Sequence, residues 1–245
     1  SWNNQAEFHF KLDERKEVTQ VVTKVIADGS VKATDGDATL SGGALHATLV
    51  PVDAVTSRLQ TLNLIGKARA EDGRGGELAS DMLDVTFTAA PDDPRNADPR
   101  LVTARGGVRA EREGSVLEST ELEAAIARTG EKQELTATRI DAKEAVFIDR
   151  DGTRASAPKL WADPIARVAR LEGPHGSVRV QREGATIEGR DMTFRDAERQ
   201  LAVAGPGKFT HNSQARGEAP ITAVVATWTD SMNFDDLAGT VECVG

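Results

Sequence analysis

Few residues of this 245-residue chain have the type and spacing to do chemistry, and each has a plain structural reading beside the chemical one. Cys243 is the only cysteine, which excludes an internal disulfide and any multi-thiolate metal site. It falls where small apolar residues recur in the strand pattern described below, so it is expected to be a small buried hydrophobe. His9, His46, His175 and His211 form no ligand-spaced pair. Asp230, Asp235 and Asp236 lack the spacing of a calcium loop and are expected at a solvated turn and strand edge.

Gly205-Pro206-Gly207-Lys208 resembles a phosphate loop only at first sight. The four residues before Gly-Lys are missing, and Phe209 stands where a magnesium-binding hydroxyl belongs. Gly73-Arg74-Gly75-Gly76 reads as a hairpin turn, not as the strand-to-helix turn of a dinucleotide site. There is no Gly-x-Ser-x-Gly elbow, and none of the 39 acidic residues is marked as a catalytic pair. The expectation is a non-enzymatic protein without metal or cofactor. A formal net charge of −9 argues against a nucleic-acid partner, which needs a cationic footprint. No apolar run reaches the length of a membrane-spanning helix.

What the chain does contain is a repeated element. Apolar or small residues alternate with polar ones at Val25, Ala27, Gly29, Val31, Ala33, again at Leu62, Leu64, Gly66, Ala68, Ala70, and again at Val102, Ala104, Gly106, Val108, Ala110. A fourth copy, Ile140, Ala142, Glu144, Val146, Ile148, carries Glu where the others carry Gly. Partial copies follow around Val178, Phe209 and Val241. A period of two places one set on a buried face and the intervening charges, such as Arg69, Glu71, Arg105, Arg109 and Glu111, on a solvated one.

The turns keep the same phase. Asp35-Gly36, Asp72-Gly73, Glu113-Gly114, Asp151-Gly152 and Glu183-Gly184 follow the strands at intervals of roughly 35 residues, and acidic-Gly pairs are strong hairpin signals. Large apolar residues, Leu45, Leu83, Leu122, Leu160 and Met192, sit about eight to ten residues past each turn glycine, and alternation usually continues beyond them. Residues 91–100 and 212–220 read as loops. Residues 120–132 would also satisfy a helix, but Leu122, Ala124 and Ile126 hold strand phase and are read as strand. The box from Trp2 to Phe8 is echoed from Trp228 to Phe234, which predicts a segment of a longer repetitive protein. The expected fold is therefore all-β, stacked antiparallel hairpin repeats in an elongated jelly-roll or taco-like solenoid. It forms one continuous array over 1–245, with the loop 91–100 as the one candidate sub-boundary.

Gly-x-Val strands with an alternating apolar face, a polar-Gly turn, an apolar strand and the next Gly-x-Val resemble the OstA-like (organic solvent tolerance-like) repeats of lipopolysaccharide-transport proteins. The resemblance runs through the copies at Val31, Ala68, Val108, Val146, Val178, Phe209 and Val241. It implies a protein of the periplasm or cell envelope of a Gram-negative-type bacterium. Its apolar trough would shelter the acyl chains of lipopolysaccharide or another amphipathic lipid. It would join other OstA-like proteins, or further repeats, through edge strands. The lining residues would be Val31, Leu83, Val85, Phe87, Val108, Leu122, Ile126, Val146, Val178, Met192, Phe194 and Phe209. Outward arginines at the rim would be placed to touch lipid phosphates. A structural or adhesive β-repeat module with a closed core is the alternative. An envelope hydrolase whose catalytic part lies elsewhere is a third reading.

Overall fold

The computed structural model describes residues 5–12, 18–174, 176–212 and 223–245. The described residues contain no helix and form eighteen strands. The first nine are β1 (Gln5–Leu12), β2 (Val18–Asp35), β3 (Ala38–Pro51), β4 (Ser57–Glu71), β5 (Glu77–Ala89), β6 (Ala97–Arg112), β7 (Ser115–Thr129), β8 (Glu134–Arg150) and β9 (Thr153–Asp163). The remainder are shorter: β10 (Val168–Glu172), β11 (Val178–Arg182), β12 (Ala185–Gly189), β13 (Asp191–Arg195), β14 (Gln200–Ala204), β15 (Gly207–Asn212), β16 (Ala223–Trp228), β17 (Ser231–Asp235) and β18 (Thr240–Val244). The protein is thus an all-β stack of antiparallel hairpins. The segment 120–132, compatible with a helix by composition, is strand through Thr129, because burying Leu122 requires the same phase as its neighbours. Trp2 of the first box, His175 and most of the loop 212–220 lie outside the described residues.

Two compact units are present: Ser1–Ala110 with Glu121–Thr138, and Glu111–Thr120 with Arg139–Gly245. In the first, β1 to β5 form a meander in which every strand pairs with the next. Apolar residues stand opposite one another across it: Ala27, Leu45, Leu64 and Leu83 in one row, and Val25, Ala47, Leu62 and Val85 in the next. Cross-strand neighbours on one face are the packing unit of a sheet, and these rows bury Leu45, Leu64 and Leu83.

The long strands are not straight. Their register slips between Asp28 and Val31, between Ser41 and Ala44, between Ile65 and Ala68, and between Lys143 and Val146. At the break in β4, Gly66 and Lys67 have φ of 76° and 53°; in β6, Gly106 and Gly107 have 76° and 54°. Two successive left-handed residues turn the strand and leave those two residues outside the buried face. This corrects the sequence reading, which placed the recurring Gly in an inward slot. Gly66 is exposed, while Leu64 and Ala68 on either side of it are buried. In β8 the same break is made by Glu144 and Ala145, with φ of 58° and 52°. Both are exposed, so glutamate meets no burial penalty there. Its cost is conformational, because a Cβ is strained in the left-handed region.

In the second unit, the break becomes a complete division. The C-terminal half of β9 pairs with β10 and its N-terminal half with β11. From there one column runs β10, β13, β14, β17, β18 and the other β11, β12, β15, β16. One bent strand of the first unit thus corresponds to two short strands here. Both columns contribute to one hydrophobic cluster that includes Leu171, Met192, Val203 and Met232 from one and Val178, Val180 and Trp228 from the other.

The hairpin turns follow their sequence signals with two adjustments, one of them at Asp72-Gly73, which opens a five-residue loop closed by Asp72 accepting from the backbone N–H of Arg74 and Gly76. Glu113-Gly114, Asp151-Gly152 and Glu183-Gly184 all have positive φ at both positions, as a type I′ turn requires. In the first hairpin the loop is Gly36-Asp37, not Asp35-Gly36, because Asp35 pairs with Ala38. Turns at the opposite strand ends are closed by aspartates. Asp53 accepts backbone N–H bonds from Val55 and Thr56, and Asp163 accepts from Ile165 and Ala166. Asp235 accepts from the backbone N–H of Ala238 and from the Gln200 amide. These donors hold the Asp53 and Asp235 carboxyls below their ordinary value of 3.8, the backbone N–H of Val55 acting most strongly on the first and that of Ala238 on the second.

Two predictions follow from the backbone and its turns. The double variant Glu144→Gly/Ala145→Gly should raise stability by about 1–2 kcal/mol, after part of the relief is offset by greater unfolded-state freedom. Urea unfolding would show this as a higher midpoint with unchanged slope, and a midpoint that stayed or fell would refute it. A depressed carboxylate contributes stability that is present above its unfolded pKa and is lost as pH falls through the folded one. Asp235→Ala should therefore be less stable than the parent near pH 6, with the difference shrinking below about pH 4. Equal differences at both pH values would contradict the role given to the Asp235 turn.

Candidate functional site

Among the described residues, no group of three or more His, Cys, Asp or Glu is placed to hold a metal ion. The residues that carry the sequence-level hypothesis are the apolar ones. Val31, Leu83, Val85, Phe87, Val108, Leu122 and Ile126 belong to the first unit, and Val146, Val178, Met192, Phe194 and Phe209 to the second. Leu83, Val85, Val108, Leu122, Val146, Val178 and Met192 are buried; Val31, Phe87, Ile126, Phe194 and Phe209 are half-buried.

In the second unit the division follows distance from the strand break; in the first it does not, because Val31 beside the β2 break is half-buried and Val85, one row further out, is buried. In the second unit, Leu160, Leu171, Met192, Val203 and Met232 stand opposite one another in the row next to the break. Met192 and Val178, on the two columns, have 0% exposure. The row one step further out is Ala162, Ala169, Phe194, Leu201 and Phe234; the matching row of the other column is Ala155, Val180, Ile187, Phe209 and Ala226. In these rows Phe194, Phe234, Ile187 and Phe209 keep part of their surface in water. The interior is sealed beside the break and partly open away from it.

Interlocking across the columns produces the seal. Val203 Cγ1 lies 2.7 Å, and Met192 Cε 3.4 Å, from the point a Cβ on Gly189 would occupy. Gly189 is therefore the hole into which two side chains of the opposite column fit. Trp228, from the second Trp box, is a core residue: it lies across Gly207, with which it pairs, and its indole Nε1–H donates to the Gly205 carbonyl at 3.0 Å. The sequence had marked Trp228 only as part of a repeat. The signal for its role was Gly207, a residue without a side chain in the apolar phase of its strand.

Cys243 does not have the predicted burial. It stands opposite Met232 in the apolar row, but β18 is exposed along its length and the thiol with it. The pairing described for β18 is to β17 alone, so the inward face of this strand has cover from one side only. Val241 is exposed for the same reason, as is Val224 on β16, whereas Val244 and Val225 lie on the outward face of their strands.

The outer faces carry charge in alternating sign. Arg69 meets Glu71 at 2.8 Å and Glu77 at 2.9 Å, and Arg105 meets Asp84 at 2.9 Å. Arg128 is held by Asp98 through two hydrogen bonds, which raises its pKa above the ordinary value. Arg199 pairs with Asp236, and Arg167 with Asp196, joining successive turns of the stack. Arg69 and Arg105 are thus engaged with carboxylates on their own face. No helix is long and apolar enough to cross a membrane among the described residues. Comparison with family models, curated proteins and solved structures finds no match for this chain.

Because Gly189 receives side chains from the opposite column, Gly189→Ala should lower stability by about 1–3 kcal/mol, as overpacking does. Adding Val203→Ala should recover part of that loss by vacating the contact. Thermal or urea unfolding checks both; a neutral single variant would show that the two columns do not interlock.

Proposed function

We propose that the protein is a non-enzymatic envelope module that shelters the acyl chains of an amphipathic lipid, of the lipopolysaccharide class, along its apolar interior. The observation that carries this reading is the difference in burial in the second unit: a sealed row at the strand break, and beyond it two rows in which Phe194, Phe234, Ile187 and Phe209 keep part of their surface in water while Leu201, Val180 and Ala155 are buried. An acyl chain laid along those rows would remove their remaining apolar surface from water at roughly 25 cal/mol per Å². It would require no directed polar group. The twelve residues read from the sequence then divide in role: Leu83, Val85, Val108, Leu122, Val146, Val178 and Met192 are buried support, while Val31, Phe87, Ile126, Phe194 and Phe209 offer contact surface. The resemblance to OstA-like repeats supports a periplasmic setting and strand-to-strand pairing with similar modules, for which β16 and β18 offer exposed edges.

A second reading is favoured by the interlock at Gly189: a structural or adhesive module whose core is filled by its own side chains. Photo-crosslinking separates the two. A benzophenone amino acid at Phe194 or Phe209 should form adducts with purified lipopolysaccharide, and one at the outward, exposed Thr227 on β16 should not. Phe209→Asp, shown folded by circular dichroism, should abolish the adduct at Phe194. Absence of adducts at both interior positions would favour the closed scaffold, and equal adducts inside and outside would refute sheltering.

A further inference from the structure

The second unit also carries a polar cleft on its outer face, on the side of β9, β10 and β13 opposite the apolar rows. Its volume is about 510 Å³, within the range of small-molecule sites. Pro158 and Pro174 form rigid walls, and the charged lining comes from Lys159, Arg170, Glu172, Arg190 and Asp191. These residues share a face because the strands alternate: Lys159 stands opposite Glu172 and Glu172 opposite Asp191, while Leu160, Leu171 and Met192 point to the core.

The charges in the cleft are unequally committed. Arg170 donates to both oxygens of Asp191, with Nε at 2.9 Å from Oδ1, and its Nε also lies 2.9 Å from Glu172 Oε1. One guanidinium therefore holds both carboxylates, and those bonds raise its own pKa, the Asp191 hydrogen bond being the largest cause. Lys159 and Arg190 have exposed side chains and form no ion pair among the described residues. Three cations against two carboxylates leave a local positive excess in a chain whose net charge is −9. Outside the cleft lining but on the same face, directly opposite Arg170 in β10, stands Trp161, which is 37% exposed.

We propose that this cleft binds an anionic sugar unit. Lys159 and Arg190 meet its phosphate or carboxylate through charge-assisted bonds, the Glu172 oxygen not used by Arg170 accepts from a ring hydroxyl, and Trp161 offers an aromatic surface to the ring. Arg170 is a positioning residue: tying down Asp191 and Glu172, it keeps both carboxylates from neutralising Lys159 and Arg190. The site is on the opposite face from the acyl-chain interior and stands or falls independently of it.

Titration of the ¹⁵N-labelled protein with glucose 1-phosphate, glucuronate, glucose and inorganic phosphate tests the assignment. Both anionic sugars should shift the amides of Lys159, Arg170 and Arg190 saturably, with Kd on the order of 1 mM, and quench fluorescence that is lost in Trp161→Phe. Lys159→Ala/Arg190→Ala removes two exposed cations without ion-pair partners and should leave the remaining spectrum unchanged. Its affinity for both sugars should fall about tenfold. An equal response to inorganic phosphate would reduce the site to a plain anion patch and overturn the sugar assignment. So would unchanged affinity in the double variant, or no shift with either anionic sugar at about 10 mM.

Discussion

Everything in this structure depends on the change of direction halfway along each strand. A strand of fifteen or more residues in a straight sheet would present one flat apolar face that no partner layer covers. Two successive residues with positive φ, at Gly66-Lys67, Gly106-Gly107 and Glu144-Ala145, break the ladder and let the two halves of a strand serve different faces of a core. The most buried side chains sit immediately beside that break: Leu64 and Ala68, Ala104 and Val108, Ala142 and Val146. In the second unit the same constraint goes further, and each bent strand is replaced by two short ones in separate columns.

From this bend follows the graded interior. Close to the break, side chains from two directions compete for one small space, and small residues are needed to receive large ones, as Gly189 receives Val203 and Met192. Further out the columns no longer fill the space between them, and phenylalanines with part of their rings in water take over. A scarcity of aromatics, 4% of the chain with no tyrosine, fits a core whose tightest rows admit Ala, Val, Leu and Met. The two candidate binding surfaces use opposite chemistries because strand alternation sends consecutive residues to opposite faces. Leu171 lies in the sealed row, while its neighbours Arg170 and Glu172 line the polar cleft.

The strand phase was legible in the sequence wherever alternation was strict. Leu45, Leu83, Leu122, Leu160 and Met192, each read as the large apolar residue that carries the alternation on after a Gly turn, are all buried. Glu113-Gly114, Asp151-Gly152 and Glu183-Gly184 turn as such pairs predict, because the Gly takes positive φ at no Cβ cost, while Glu113 and Glu183 carry the same left-handed strain as Glu144. What alternation misread was the recurring Gly. A period of two places Gly66 on the same face as Leu64 and Ala68, but a pair of left-handed residues rotates it out of that face while preserving the count on either side. Glu144 looked like a departure from the repeat for that reason, and is a departure only in conformational cost.

The sequence by itself determined the class of fold, the turns, the faces of the strands and the absence of a recognisable catalytic motif. These are local properties, set by side-chain period and by which residues accept positive φ. Tertiary structure alone decided which rows are sealed, that the long strands divide into two columns, that Cys243 is exposed and that Trp228 closes over Gly207. It also decided that Lys159 and Arg190 share a cleft with Arg170. Burial and charge pairing depend on what comes from distant strands. A residue such as Cys243, with the right phase and a strand on one side only, shows that phase names a face without ensuring that anything covers it.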